Sequence, residues 1–301
     1  MKIATTIGEV YPWVDSPAEA VEMYVGSGFK YLDFSFYTFV LAENHPFMSD
    51  GWRDMILAAK EKAESLGFKF VQAHSPAVHV LTKSAFDRNV EGTVRSIEAC
   101  AMLGIKNTVI HTGGDSKLRY PEHKKEYFEA NRPFLEALIP AMEKYEVSVL
   151  LENSCEKNTN GAYFPMTGKD LNDFLEFIGH PLYGACWDVG HGHIQGLDPH
   201  DEIVELGDNL KAVHIHDNAA DRDSHVLPFT ETFDMDSMIR GFIDSGFKGY
   251  FTFESDGFMK YGSRKDSSPL AHPPKALKKE ALKLLYQVGK ISLDTYGIFE
   301  E

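Results

Sequence analysis

Residues 210–218 read LKAVHIHDN. A run this short has the length of a strand rather than a helix, and along a strand alternate side chains point to opposite faces. With His214 inward, Ala212 and His216 share its face while Val213 and Ile215 turn outward. A strand that is apolar on one face and carries imidazole at its far end on the other suits a parallel sheet covered by helices. His216 then lies one layer nearer the mouth, within reach of a substrate, and Asp217 turns away into a structural role.

The same kind of segment recurs along the chain. Apolar, β-rich runs occur near residues 2–8, 30–36, 69–74, 107–112, 148–153, 183–188, 210–216 and 249–254. Helical patterns separate them. SPAEAVEMYVGSG from Ser16 has a capping serine, a proline at the first position and a closing glycine, and comparable stretches start at Ser84 and Asp234. Eight strand–helix units without a linker tract predict a (β/α)8 barrel, one domain over residues 1–301. A doubly wound open sheet is the alternative, but GEVYPWVDSP after the first strand contains no phosphate-binding glycine turn.

Composition narrows the partners. The 301 residues are 43% hydrophobic and carry a formal net charge of -15, spread along the chain rather than gathered in a tail. Such a surface opposes phosphate backbones, so no nucleic acid is expected. The densest basic segment, KALKKEALK at 275–283, reads as an exposed helix. MKIATTIGEV lacks a basic region followed by an apolar one, and no apolar run reaches the length of a membrane span, so a cytoplasmic protein without membrane contact is expected. Cys100, Cys155 and Cys186 are widely spaced and read as reduced thiols, with no disulfide framework or cysteine zinc site.

In a parallel barrel the chemistry lies at the carboxyl ends of the strands. FVQAH ends on His74, TVIH on His111, VLLE on Glu152, ACWD on Asp188, KAVH on His214 and FTFE on Glu254. Parity agrees: Phe251 and Phe253 flank Glu254 on the outer face, and Val149 and Leu151 flank Glu152. Burying Glu152, Asp188 and Glu254 together without a cation costs several kcal/mol, about that order for each, and a divalent ion removes the conflict. Carboxylates mixed with imidazoles suit Mn²⁺, Zn²⁺, Co²⁺ or Fe²⁺ better than Ca²⁺.

AHSP (73–76), VIHTGG (109–114), LLENS (150–154), WDVGHGH (187–193), VHIHDN (213–218), DSHVLPFTET (223–232) and FTFESDG (251–257) resemble, in order, the motifs of the xylose isomerase-like TIM-barrel superfamily of sugar isomerases and epimerases. The resemblance implies a divalent metal, Mn²⁺ or Zn²⁺ foremost with Co²⁺, Fe²⁺ or Mg²⁺ as alternatives, on Glu152, Asp188, His214 and Glu254. It further implies that Glu152 and Glu254 are the catalytic acid/base pair of an isomerase or epimerase working through an enediolate, with His191 on a substrate oxygen. The chain departs from ketose 3-epimerases at two places: Arg222 comes later than their arginine, and Glu156 is shifted from their extra glutamate.

The superfamily also includes nucleases of the endonuclease IV type, which bind three zinc ions. Counterparts of those ligands add His74, His111, His191, Asp223 and His225 as candidates for further metal. An apurinic-site nuclease is thus the first alternative, and an enediolate-forming lyase or dehydratase the second. Substrate-binding candidates are His74, His111, His191, His216 and Asp33, the last inward if YLDFSF is the second strand. The long aromatic segment YTFVLAENHPFMSDGW (37–52) reads as a lid over a polyol or as a clamp on neighbouring loops or a second subunit of a homo-oligomer. Without an arginine pair or anion nest, an unphosphorylated sugar or polyol is the expected small-molecule partner.

Overall fold

The computed structural model describes residues 1–41, 45–262, 268 and 270–301. Its strands are β1 (Ile3–Thr6), β2 (Tyr31–Ser35), β3 (Lys69–His74), β4 (Asn107–Ile110), β5 (Ser148–Glu152), β6 (Tyr183–Asp188), β7 (Leu210–His214) and β8 (Phe251–Phe253). They pair in parallel in the order β7-β6-β5-β4-β3-β2-β1-β8. The two ends of that order meet. Just past β7, the Ile215 amide donates to Thr252 at 2.9 Å and the Glu254 amide donates back to Ile215 at 3.0 Å. The sheet closes on itself as a single-domain (β/α)8 barrel.

Around it run α1 (Pro17–Glu22), α2 (Trp52–Ser65), α3 (Phe86–Leu103), α4 (Lys124–Tyr145), α5 (Glu156–Thr159), α6 (Gly168–Ile178), α7 (Val189–Ile194), α8 (Pro199–Leu206), α9 (Met235–Ser245) and α10 (Lys275–Thr295). None is long and apolar enough to cross a membrane, among the described residues. Local capping sets several boundaries. The Ser16 hydroxyl accepts from the Glu19 amide at 3.2 Å and Asp234 from the Ser237 amide at 2.9 Å, satisfying orphan donors of the first turn. Ser84 lies instead in a 3₁₀ turn, and α3 begins at Phe86.

The barrel separates two apolar layers. Val109, Leu150, Cys186 and Ala212 fill the interior as a small cluster of their own. Val149, Leu151, Val213, Ile215, Phe251 and Phe253 belong to the larger layer between sheet and helices. The parity read from residues 210–216 therefore holds. Each fully buried aliphatic or aromatic side chain contributes about 1.5–3 kcal/mol, so the outer layer is the main stabiliser.

The basic segment 275–283 corrects one expectation. Although α10 carries lysines on its solvent face, Lys278 is fully buried, its Nζ 2.8 Å from Glu9 Oε2 and donating to the Phe258 carbonyl at 2.9 Å. The reason is coverage: Ala281, Leu282, Leu285 and Leu293 lay α10 against the barrel, and Lys278 shares that face. Removing one partner of a buried pair leaves the other charge uncompensated. Lys278→Ala is expected to lose about 3–5 kcal/mol in urea unfolding; a loss below about 1 kcal/mol, the range of surface pairs, contradicts it.

Candidate metal centre

At the carboxyl ends of the strands the expected ligands fall into two adjoining groups. In the first, Glu152 is the hub. Its Oε1 lies 2.7 Å from His214 Nδ1, and its Oε2 lies 2.7 Å from His111 Nε2 and 3.4 Å from His74 Nε2. His214 Nδ1 is also 3.2 Å from Glu254 Oε2, so one imidazole joins two carboxylates. His74 turns its other nitrogen to the Ser75 carbonyl at 2.8 Å, which orients Nε2 toward the group. His111 and Glu254 stand one residue beyond β4 and β8.

The second group gathers round Asp188 and Asp223. Asp188 Oδ2 is 3.1 Å from His216 Nε2, and Asp188 Oδ1 accepts the His191 amide at 2.7 Å as the cap of α7. Asp223 lies 2.9 Å from His191 Nε2 and 3.0 Å from His225 Nε2. The carboxylate of Asp188 thus converges with His191 and His225, while His74 converges with His111 and Glu152 on one side and with His214 and Glu254 on the other. Asn153 ties the groups together: it exchanges two hydrogen bonds with the Asp188 backbone, at 2.7 and 2.9 Å, and its own carbonyl is 3.0 Å from His191 Nδ1. Asn153→Ala orphans those buried groups and is expected to cost about 1–3 kcal/mol and to weaken metal binding by roughly 10–100-fold. Titration calorimetry beside urea unfolding measures both, and unchanged metal affinity contradicts the second.

Two residues lie deeper than their spacing suggested. His216 is wholly buried rather than facing the mouth, stacked on His225 at 3.9 Å and pressed beneath Gly190, where a Cβ would lie 1.9 Å from its ring. The strand ends at His214, so period two no longer sets depth beyond it. Asp33 points inward, but it is 1% exposed inside the barrel, neither oxygen has a hydrogen-bond partner, and burial pushes its carboxyl up to about 6. Asn153 was not singled out from sequence, and Cys186 was read there only as a reduced thiol. Cys186 joins Glu152 and His214 within ligand distance, and the parity that places Asp188 inward also places Cys186 inward.

Charge pairing dominates both groups. Burial would raise the Glu152 carboxyl, yet His214 and His111 hold it well below its ordinary range. Burial would lower His214, but Cys186, Glu254 and Glu152 hold it well above. His225 is up at about 10 against the effect of burial, through Asp223 and Glu254, and Asp223 is held far down by His191 and His225. Imidazolium protons therefore stand between carboxylates where a divalent cation serves equally. Asp223 Oδ1, though buried, faces His225 Nε2 at 3.0 Å without a well-directed hydrogen bond. Nitrogen and oxygen donors in this ratio fit a Zn²⁺- or Mn²⁺-like ion.

Above the groups opens a cleft of about 960 Å³, lined by His74, His111, Glu152, His191, Asp223, His225 and Glu254 among others. Tyr37 and Leu41 from the long aromatic segment line it too. Residues 42–44 of that segment lie outside the described residues, while Phe47 and Trp52 are buried in the core as a clamp.

Comparison with known proteins places the chain. The profile of a family described as "Xylose isomerase-like TIM barrel" matches residues 19–288. An uncharacterised protein of Sinorhizobium fredii, y4fM, is 28% identical over 171 residues, 55% of this chain and 52% of that one. A "Probable endonuclease 4" of Nitrosopumilus maritimus is 29% identical over 167 residues, 50% of this chain and 56% of that one. The matches thus span about half the length of these curated relatives. Among solved structures, a D-tagatose 3-epimerase-like protein superposes with a TM-score of 0.71 at 17% identity, covering 99% of this chain and 100% of that one. D-psicose 3-epimerase from Clostridium cellulolyticum H10, solved with D-tagatose, gives 0.71 at 16% identity and 98% of both chains. At such identities the likeness establishes the fold.

Proposed function

The chain belongs to the xylose isomerase-like TIM barrel family, and from that premise we propose that it is a divalent-metal-dependent isomerase or epimerase of an unphosphorylated sugar or polyol. One observation carries the reading: His74, His111, Glu152 and Glu254 line the floor of a sugar-sized or larger cleft, with His214 beneath bridging the two carboxylates. Glu152, His214 and Glu254, together with Asp188 of the adjoining group, are the proposed holders of the ion, with His74 and His111 beside them. When bound, the ion would polarise a substrate carbonyl and the hydroxyl next to it.

The side chains divide the remaining work. Glu254 is 21% exposed and reaches the cleft, whereas Glu152 is 1% exposed and gripped by imidazoles at both oxygens. Glu254 is therefore the group that takes the proton beside the carbonyl, and Glu152 is the anchor that can return one from the other side once its imidazoles are drawn away. His191, which lines the cleft beside Asn153 and Asp223, is the proposed contact to a substrate oxygen. Lys260 is the one lysine or arginine among the described residues of the cleft, which favours a neutral substrate.

Transfer of carbon-bound hydrogen to solvent deuterium, across ketoses, aldoses and inosose-type polyols with Mn²⁺ or Zn²⁺ present, tests the proposal. Absence of exchange throughout the panel sinks it. The endonuclease 4 relatives and the second histidine–aspartate group favour an abasic-site nuclease as the other reading. Cleavage of an abasic duplex at low salt, lost in His74→Ala, would establish that one instead.

A further inference from the structure

The barrel interior beneath the ligand floor has two unlike sides. Val109, Leu150, Cys186 and Ala212 make one apolar. Asp33, Gln72 and Thr252, none more than 2% exposed, make the other polar. Gln72 and Thr252 stand two residues before His74 and Glu254, so they share the inward face of β3 and β8, about 6–7 Å lower along the strand. Asp33 pairs with Gln72, whereas Ser35 pairs with His74, which sets Asp33 at that lower level. It lies below the cleft and outside its lining, beyond a substrate's reach.

Thr252 Oγ1 donates to Gln72 Oε1 at 3.4 Å, and Asp33 is left over. Neither of its oxygens has a well-directed hydrogen bond among the described residues. A carboxylate buried in this way is costly unless a cation balances it. Burial, with Glu254, pushes the carboxyl up to about 6 against His214, His74 and the Gln72 amide. The charged neighbours in that balance all belong to the first ligand group, so the charge on the floor decides what an ionised Asp33 costs.

We infer that Asp33 is an outer charge of the metal centre: it touches neither ion nor substrate, and its buried negative charge draws a divalent ion onto Glu152, His214 and Glu254 from beneath. This rests on the metal-dependent reading above. Two effects of opposite sign follow. In the metal-free chain the ionised carboxylate weakens the fold, because a carboxyl raised above its ordinary range costs stability wherever it is ionised. In the loaded chain the same charge attracts the ion through an interior of low dielectric, where charges several ångströms apart still interact. A side chain kept only for packing shows no such reversal of sign.

The test sets Asp33→Asn, which keeps the shape and removes the charge, against Thr252→Val, which removes a polar group from the same side of the interior and leaves the charge. Calorimetry with Mn²⁺ and with Zn²⁺ is expected to give Asp33→Asn a Kd roughly ten- to a hundredfold above the parent's, and Thr252→Val a Kd close to it. Melting after exhaustive chelation is expected to place Asp33→Asn about 2–4 °C above the parent. An unchanged Kd in Asp33→Asn, a chelated Tm below the parent's, or an equal loss of affinity in Thr252→Val overturns the inference, while binding by the parent leaves the metal reading standing. A parent that binds neither ion overturns both. A chelated parent whose Tm climbs with K⁺ but not with choline, an effect absent from Asp33→Asn, overturns the inference in favour of a monovalent cation seated on Asp33 itself.

Discussion

Glu254→Gln is expected to fold and, at saturating metal, to keep the ion on the remaining ligands while exchanging substrate hydrogen with solvent about 10²–10⁴ times more slowly, the usual worth of a positioned acid or base. The position is held from the backbone: the Glu254 amide donates to Ile215 at 3.0 Å and its carbonyl lies 2.9 Å from His225 Nδ1. Glutamine preserves those contacts and the volume of the side chain, but it cannot accept the substrate proton. Deuterium uptake followed by NMR, beside a melting curve, separates lost chemistry from lost fold. A variant within about tenfold of the parent would move the proton-accepting role off Glu254.

Stripping the metal should have the second large effect. Both ligand groups are built from carboxylates and imidazoles that hold one another ionised, and a divalent ion that binds only the folded chain stabilises it by mass action. At free metal a hundredfold above Kd the gain is about 2.7 kcal/mol, which for a chain of this size raises Tm by roughly 5 °C. Exhaustive chelation is therefore expected to lower Tm by that order and to abolish exchange, with both restored by Mn²⁺ or Zn²⁺. Imidazole must be deprotonated to bind a metal, and against burial Cys186, Glu254 and Glu152 hold His214 above its ordinary range, so the metal is expected to bind more tightly as pH rises. Activity and Tm that ignore chelation would refute the metal-dependent reading. Three zinc ions per chain would shift the balance toward the nuclease.

Much of the site was legible because its signals are local. Period two along a strand is a property of the backbone, so Val213 and Ile215 outside and Ala212 and His214 inside follow from residue order alone. Caps are similarly local, which is why Ser16 and Asp234 begin helices where expected. Lys278 shows the limit. Its neighbours in sequence are charged, yet the helix face it occupies is decided by which side of α10 meets the barrel.

Residue order alone specifies an eight-unit barrel and six candidate ligands at its carboxyl-terminal rim, since alternation, caps and strand length are all written within a few residues. Only the tertiary structure decided how those ligands group. Register shifts between Leu32 and Asp33 and between Ala185 and Cys186 set the heights of Asp33, Cys186 and Asp188 relative to neighbouring strands. Beyond His214 the chain leaves the sheet, and His216 sinks beneath Gly190 instead of rising to the mouth. Stagger between strands and the paths of the loops are collective properties of the closed barrel, which no single segment specifies.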